Sequence, residues 1–174
     1  MKQTTKIIAI TGAESTGKST LAKALATHYN VPFVPEFARS YVEQLHRSYT
    51  YDDVVLIAEK QVEQYKEMVL QQPSLIILDT WLLITKIWLD VVYGKVPAWI
   101  EETIKETHID TFLVCDTDLP WVPDNVRENG GTDRENLQKT YIQELKKFQF
   151  SYHLIKGDYE ERKNAAIQVI SSLD

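Results

Sequence analysis

A nine-residue segment, Gly-Ala-Glu-Ser-Thr-Gly-Lys-Ser-Thr, constrains the fold more than any other feature of this chain. It occupies positions 12–20, after the β-branched run Lys6–Thr11 and at the start of a helical pattern over 18–29. It matches Gly-x-x-x-x-Gly-Lys-[Ser/Thr], a loop whose backbone N–H groups surround the phosphates of a nucleotide. The segment therefore predicts a strand, a phosphate-binding loop (P-loop) and a helix in that order, with a nucleoside triphosphate as ligand.

Each fixed position of the P-loop has a physical role. Gly12 and Gly17 permit backbone angles and a close approach that a Cβ would prevent. The loop N–H groups are expected to face the β-phosphate, aided by the positive end of the following helix. Lys18 is expected to reach the β- and γ-phosphates, and the Ser19 hydroxyl to bind Mg²⁺. The predicted nucleotide-binding residues are Gly12, Glu14, Ser15, Thr16, Gly17, Lys18, Ser19 and Thr20.

Length and composition exclude several classes of protein. With 174 residues, the chain is expected to form one domain, and its net charge of −6, with acidic residues spread along it, argues against a nucleic-acid partner. The single cysteine, Cys115, excludes a disulfide framework, and the four histidines show no metal-ligand spacing. No apolar run approaches the roughly 20 residues that span a bilayer, and no export signal is recognised, so we expect a cytoplasmic protein without a membrane role.

Apolar β-branched runs alternate with amphipathic segments along the chain. Such alternation predicts a five-stranded parallel sheet with helices on both faces, a three-layer α/β/α P-loop NTPase fold with its ligand at the carboxyl edge of the sheet. Asp52 and Asp158 are predicted to begin helices. The predicted strands are Lys6–Thr11, Val31–Val34, Leu75–Leu78, Thr111–Cys115 and Tyr152–Ile155, and the predicted helices are Lys18–Tyr29, Asp52–Gln71, a segment opened by Trp81, Arg134–Phe148 and Asp158–Ser172.

Two stretches interrupt this alternation. Gly94–Pro97 breaks the helical region after the third strand. Asp116–Asp133 contains two prolines and the Gly130-Gly131 pair, and it is longer than an ordinary connection. We interpret it as a lid over the triphosphate, at about 117–134 of a single kinase-like domain that covers 1–174.

Asp79 ends the apolar run Leu75–Leu78, as the metal-binding aspartate of a Walker B strand does. It is predicted to contact Mg²⁺ or the substrate. The alternative is that it caps the helix that Trp81 opens, and both roles can coexist.

Glu36 follows the second strand, in the sequence Val-Pro-Glu-Phe-Ala-Arg. At the carboxyl edge beside the P-loop, a carboxylate can accept the proton of an attacking hydroxyl, while Arg39 can hold the acceptor or the phosphates. The alternative is that Glu36 sits in the first turn of a helix and Arg39 forms a surface ion pair one turn later.

Arg127 and Arg134 flank the glycine pair of the proposed lid. Guanidinium groups that close over the transferring phosphate would stabilise its charge, so both are predicted to be catalytic, together with Lys18, Glu36 and Asp79. Ordinary solvated loop charges are the alternative.

Among the aromatic residues, Tyr93 and Trp121 lie next to irregular segments and are the candidates for stacking on a flat ring. The tryptophans Trp81, Trp88 and Trp99 have helical spacings, for which core packing is the default.

The P-loop, the Val-Pro-Glu-Phe-Ala-Arg turn, the Ile-Leu-Asp-Thr strand end and the later Tyr93-Gly94 together resemble the nicotinamide riboside kinase domain of the bacterial NadR-type proteins. The resemblance covers essentially the whole chain. It implies an enzyme that uses ATP and Mg²⁺ to phosphorylate the 5′-hydroxyl of nicotinamide riboside. It also implies ATP-phosphate contacts at 12–20, Glu36 and Asp79 around the acceptor ribose and Mg²⁺, and Tyr93 against the nicotinamide ring.

The chain departs from this family at Pro35, where better-known members have a tryptophan that forms the other side of the ring sandwich. The turn around Glu36 is also similar to that of deoxynucleoside kinases. A different nucleoside, or another small molecule, is therefore the alternative acceptor. A P-loop ATPase or nucleotide sensor that is not a kinase is the alternative outside this class.

Overall fold

Five strands form one sheet, in which every neighbouring pair is parallel. The computed structural model describes residues 5–173. The strands are β1 (Lys6–Thr11), β2 (Phe33–Val34), β3 (Leu75–Asp79), β4 (Thr111–Cys115) and β5 (Tyr152–Ile155), and their order across the sheet is β2-β3-β1-β4-β5. The predicted parallel sheet is confirmed.

Helices cover both faces of the sheet, which confirms the three-layer α/β/α fold. The helices are α1 (Lys18–Tyr29), α2 (Phe37–Gln44), α3 (Tyr51–Leu70), α4 (Leu82–Tyr93), α5 (Ala98–Glu106), α6 (Gly131–Lys147) and α7 (Tyr159–Ser171). Alternate residues of a strand point to opposite faces, so Ile8 and Ile10 of β1 pack with α1 and α7. Ile7 and Ala9 pack with α3 to α6 on the other face.

Both faces of the three central strands are buried, and the inner residues of these strands are accordingly apolar without alternation, with polar residues only at the strand ends. Across the part of the chain that the structure describes, no helix combines the length and the apolar character needed to cross a membrane.

Several elements differ from the prediction. β2 begins at Phe33 rather than Val31, because Asn30 ends α1 in a left-handed conformation and Pro32 has no N–H for a strand ladder. A short helix, α2, follows Glu36 where a turn was the main prediction; Glu36 stands at the cap position of this helix and Arg39 pairs with Glu43 one turn on, as the alternative interpretation expected. α6 begins at Gly131 rather than Arg134, so the predicted lid overlaps the first turn of that helix.

The start of α3 is also corrected. Thr50, and not Asp52, caps this helix: the Thr50 hydroxyl accepts from the Asp53 N–H, and the Asp53 carboxylate accepts from the Thr50 N–H. Asp52 lies exposed in the first turn. Asp158 caps α7 by the same reciprocal arrangement, as predicted, and Gly94 ends α4 in a left-handed conformation.

Asp53 also joins α3 to the segment before it. Its carboxylate accepts from both Nη atoms of Arg47, at 2.6 and 2.9 Å, and from the Tyr41 hydroxyl at 2.7 Å. The hydrogen bonds from Arg47, and then from Tyr41, hold the pKa of Asp53 well below its usual range. The ionised carboxylate thus fixes α2 and the 45–50 segment against α3.

We expect Asp53→Asn to lower the Tm at pH 7 by on the order of 5 °C, with Asp52→Asn as the matched control that leaves it nearly unchanged. Because the folded-state pKa is depressed, this stabilisation is present above the unfolded pKa of about 3.9 and is lost as the pH falls below it. Thermal unfolding between pH 7 and pH 3 measures both effects. Equal Tm losses in the two variants would contradict the assignment of the cap.

Candidate active site

A cavity of about 920 Å³ opens at the carboxyl edge of the sheet. Parallel strands all end at this edge, so the loops that follow β1, β2 and β4 meet there. Its wall comprises P-loop residues, Glu36 and Arg39, the 45–49 segment, one face of α4, the 125–128 segment and two residues of α6. Every P-loop residue predicted to bind nucleotide lines this cavity.

The P-loop has the backbone geometry that its glycines predict. Gly12 has a φ of 134°, and a Cβ there would lie 2.5 Å from the carbonyl oxygen of Cys115. Gly17, with a φ of 78°, immediately precedes α1, so the N-terminus of that helix faces the cavity. Ser15 adopts a left-handed conformation although it is not glycine. This local strain is typical of a loop shaped for a ligand.

Four successive carbonyls of the P-loop are held by side chains. The carbonyl of Ala13 accepts from the Lys18 ammonium at 2.7 Å and from the Thr16 hydroxyl at 2.8 Å. Arg134 donates its Nε–H to Glu14 at 2.9 Å and an Nη2–H to Ser15 at 2.8 Å. The Thr16 carbonyl accepts from Arg162 at 3.0 Å. With its carbonyls held in this way, the loop can present its N–H groups to the cavity.

Arg134 is buried, and it uses a further donor on the carbonyl of Leu119 at 2.8 Å. Arg134 thus braces the P-loop from behind in this structure and does not line the cavity, whereas Arg127 does. A direct contact of Arg134 with the transferring phosphate stays a prediction.

Two bracing residues were missed by the sequence analysis. Gln138 accepts from the Ala13 N–H at 2.8 Å and donates to the Cys115 carbonyl at 2.9 Å, and Arg162 is 3% exposed. Both lie more than 100 positions from the P-loop, and no local pattern marks them. Their polar character at buried positions of amphipathic helices was the only available signal.

Two carboxylates stand beside the P-loop. Glu36 lines the cavity, and burial raises its pKa, an effect that Asp79 increases and the Lys18 ammonium opposes. Asp79 is 4% exposed behind the cavity wall, and burial raises its pKa too, while hydrogen bonding from Ser19 and the charge of Lys18 act in the opposite direction. The two groups therefore share one electrostatic environment centred on Lys18.

Asp79 does not cap α4, because Trp81 occupies the cap position and no side-chain cap bond forms there. The left-handed Thr80 turns the chain directly after Asp79. The Oδ1 atom of Asp79 is buried without a hydrogen-bond partner, and the Asp79 carboxylate lies within hydrogen-bonding range of Ser19. A hydroxyl and an unsatisfied carboxylate oxygen are suitable ligands for Mg²⁺, so the residues predicted to hold this ion fit it.

The 117–130 segment closes one side of the cavity. The Glu14 carboxylate of the P-loop accepts from the backbone N–H groups of Glu128 and Asn129, each at 3.0 Å. The Tyr49 hydroxyl donates to the Glu128 carboxylate at 2.9 Å. Arg39 pairs both with Glu43 of its own helix and with Asp124 of this segment. The segment is thereby docked on the P-loop and on α2, while its movement as a lid stays a prediction.

The aromatic residues that line the cavity are not those that the sequence suggested. Tyr93 packs edge-to-face with Tyr51 and lies outside the cavity wall, and Trp121 packs against Gly130. Trp88, which was assigned to the core, lines the cavity and makes an edge-to-face contact with Tyr49 at 4.8 Å. Tyr141 lines it as well.

A second, shallower groove of about 380 Å³ lies between α1 and α7. Thr20 lines both the groove and the large cavity. The rest of the groove includes Lys23, Lys163 and the half-exposed ring of Tyr159. The P-loop therefore separates two ligand-sized spaces.

Comparison with known proteins agrees with this geometry. Residues 7–162 match a protein family described as an AAA domain. The trifunctional NAD biosynthesis/regulator protein NadR of Salmonella typhimurium is 24% identical over 176 residues, which cover 97% of this chain and 42% of that protein. The chain thus spans less than half the length of this curated relative. The resemblance to NadR-type proteins is confirmed.

Solved structures show the same fold. A NadR protein in complex with NR matches with a TM-score of 0.82 at 21% identity, over 97% of this chain and 50% of that one. Deoxyadenosine kinase from M. mycoides with bound dCTP matches with a TM-score of 0.67 at 17% identity, over 95% of this chain and 99% of that one. The chain therefore shares the fold of these two proteins, and the predicted P-loop fold is confirmed.

We expect Arg134→Lys to lower the free energy of unfolding by about 1–3 kcal/mol and to weaken ATP binding, because an ammonium cannot hold three divergent carbonyls. Thermal unfolding and titration calorimetry with ATP measure the two effects. Lys139→Arg, at an exposed position of the same helix, is the control for stability and should leave the Tm unchanged. If Arg134→Lys lowered turnover alone, with stability and ATP affinity intact, Arg134 would be a contact of the transferring phosphate instead.

Proposed function

This chain belongs to the AAA domain family, and we propose that it is a kinase that transfers the γ-phosphate of ATP to the 5′-hydroxyl of a nucleoside, with nicotinamide riboside as the acceptor. The observation that carries the proposal is the position of Glu36, which faces the same cavity as the P-loop and lies in the field of Lys18. A protein that only binds or hydrolyses nucleotide has no need of an acceptor carboxylate at this place. A kinase requires one.

In the proposed mechanism, Glu36 orients the acceptor hydroxyl and accepts its proton as the oxygen attacks the γ-phosphorus. Glu36 is favoured over Asp79 as the base because Glu36 lines the cavity and Asp79 lies behind Ser19. Lys18 leaves the Ala13 carbonyl for the phosphate oxygens and stabilises the charge on the transferring group. Little covalent chemistry falls to the protein, so positioning and charge stabilisation supply most of the rate.

Ser19 and Asp79 would hold Mg²⁺, which when bound neutralises charge on the β- and γ-phosphates. No group of three or more acidic, histidine or cysteine side chains within residues 5–173 could hold a metal ion by itself. The ion would accordingly share its coordination with phosphate oxygens and water, as Mg²⁺ commonly does in such sites.

The donor and the acceptor would occupy opposite sides of the P-loop. With the γ-phosphate directed at Glu36, the α-phosphate lies toward Thr20, and the nucleoside of ATP extends into the α1–α7 groove that Thr20 also lines. Lys23 and Lys163 add positive charge there for the triphosphate. The larger cavity is then left for the acceptor.

The choice of nicotinamide riboside rests on three supports. The matching NadR protein is described in complex with NR, and the sequence resemblance covers the whole domain. The cavity also offers the rings of Trp88 and Tyr49, which can receive a flat cationic heterocycle in place of the predicted Tyr93. A deoxynucleoside is the second candidate, favoured by the likeness to deoxyadenosine kinase over nearly all of both chains.

Lys18→Ala should lower turnover by at least about a hundredfold while the fold stays intact. The loss follows because Lys18 supplies the only side-chain ammonium of the P-loop, which is proposed to contact the phosphates of bound ATP. ADP release with nicotinamide riboside, ATP and Mg²⁺ measures turnover, and the Tm monitors the fold. A variant with near wild-type turnover would contradict the mechanism.

Glu36→Gln should spare ATP affinity and lower phosphoryl transfer by on the order of a hundredfold, since the amide cannot accept the hydroxyl proton. Because burial raises the pKa of Glu36, transfer by the unmodified protein should fall as the pH is lowered through that raised pKa, and the variant should lack this acidic limb. Product formation at pH 5 to 8 and ATP binding are measured in parallel. Weakened ATP binding with unchanged transfer would make Glu36 a metal or structural residue.

A further inference from the structure

Asp124 binds two arginines that come from opposite sides of the cavity. Its Oδ2 lies 2.7 Å from Nη2 of Arg39, on α2, and 3.2 Å from Nε of Arg127, in its own segment. Its Oδ1 accepts from the backbone N–H groups of Val126 and Arg127, at 3.0 and 2.9 Å. Both carboxylate oxygens are thus fully used, and the carboxylate fixes a turn of the 117–130 segment as well as the two side chains.

The two arginines line the proposed acceptor cavity together with Glu36. The charge of Arg39 is close enough to Glu36 to oppose the rise in the pKa of that carboxyl. Arg39 also pairs with Glu43 at 3.1 Å, and Arg127 donates Nη1–H to the Val122 carbonyl at 2.5 Å. These bonds do not use Nη1 of Arg39 or Nη2 of Arg127, so each guanidinium has a donor available for a ligand in the cavity.

An isolated ion pair on a protein surface contributes little, and Arg39 is 40% exposed. The arrangement at Asp124 differs from such a pair because one carboxylate joins α2 to the 124–127 turn and, within that turn, holds two backbone N–H groups and the Arg127 side chain. The hydrogen bond from Arg39, followed by those from the turn, lowers the pKa of Asp124 to about 2. The junction therefore stays charged at every pH at which the enzyme would work.

From this geometry we infer that Asp124 is a positioning residue for phosphoryl transfer: it sets Arg39 and Arg127 at the acceptor side of the cavity and ties the 117–130 segment to α2. The inference rests on the proposed kinase function. The role of Asp124 is to keep the 117–130 segment over the acceptor during transfer, so that the acceptor hydroxyl rather than water reaches the phosphate. Asp124 itself does not line the cavity.

The test compares two products in the same reaction. ADP and phosphorylated nucleoside are measured for wild type, Asp124→Asn and the control Asp133→Asn, which removes one charge from the exposed first turn of α6 without contact to either arginine. We expect Asp124→Asn to raise the KM for nicotinamide riboside and to increase the fraction of ADP formed without phosphorylated nucleoside, each by on the order of tenfold. The control should match wild type. A loss of folded protein scales both products together and leaves their ratio unchanged.

A double-mutant cycle with Arg39→Lys separates positioning from packing. If Asp124 acts through Arg39, this substitution should change the product ratio in wild type and have little further effect in Asp124→Asn. The positioning role alone would be overturned if the wild type phosphorylated the nucleoside and Asp124→Asn gave the same ratio of ADP to phosphorylated nucleoside. A wild type that phosphorylates no nucleoside would overturn the proposed function and the positioning role together.

Discussion

The rest of the site depends on how the carbonyl groups of one loop are held. A phosphate-binding loop must turn its N–H groups inward, and its carbonyls must then find donors outside the ligand space. Here Lys18, Thr16, Arg134 and Arg162 supply those donors to four consecutive carbonyls, from Ala13 to Thr16. Arg134 lies on α6 and Arg162 on α7, so helices on both faces of the sheet hold the loop in its shape.

The order of strands brings the remaining groups to that loop. β3 lies between β1 and β2, so Asp79 and Glu36 leave the sheet on the same side of the P-loop. β4, on the other side of β1, leads into the 117–130 segment, which returns to contact Glu14 and Arg39. Glu36 and the 117–130 segment therefore approach the P-loop from opposite sides of β1 in the sheet order. Phosphoryl transfer with exclusion of water needs that arrangement.

The features that the sequence predicted well are those with a local cause. Spacing and residue type within a few positions predicted the P-loop, the strand β1 before it and the capped start of α7. The bracing roles of Gln138 and Arg162 could not be predicted, because the P-loop groups that they hold, at Ala13 and Thr16, lie more than 100 residues away in the sequence.

Helical geometry explains why Trp88 lines the cavity and Tyr93 does not. Ile84, Trp88, Val91 and Val92 of α4 line the cavity, a spacing of i, i+4, i+7 and i+8 that defines one helical face. Tyr93 lies one residue beyond Val92 and is rotated by about 100° from it, toward Tyr51. The helical phase along α4, and not the proximity of Tyr93 to an irregular segment, therefore determines which aromatic side chain of this helix faces the cavity.

The most direct test of the central claim is to identify the phosphorylated product. The purified protein is incubated with ATP, Mg²⁺ and, in parallel, nicotinamide riboside, deoxynucleosides, ribonucleosides or no acceptor, and the products are resolved by ³¹P NMR and mass spectrometry. We expect a 5′-phosphorylated nucleoside, formed from nicotinamide riboside in preference to the others and in step with ADP. Inorganic phosphate released at the same slow rate whatever the acceptor would contradict it and make the protein an ATPase.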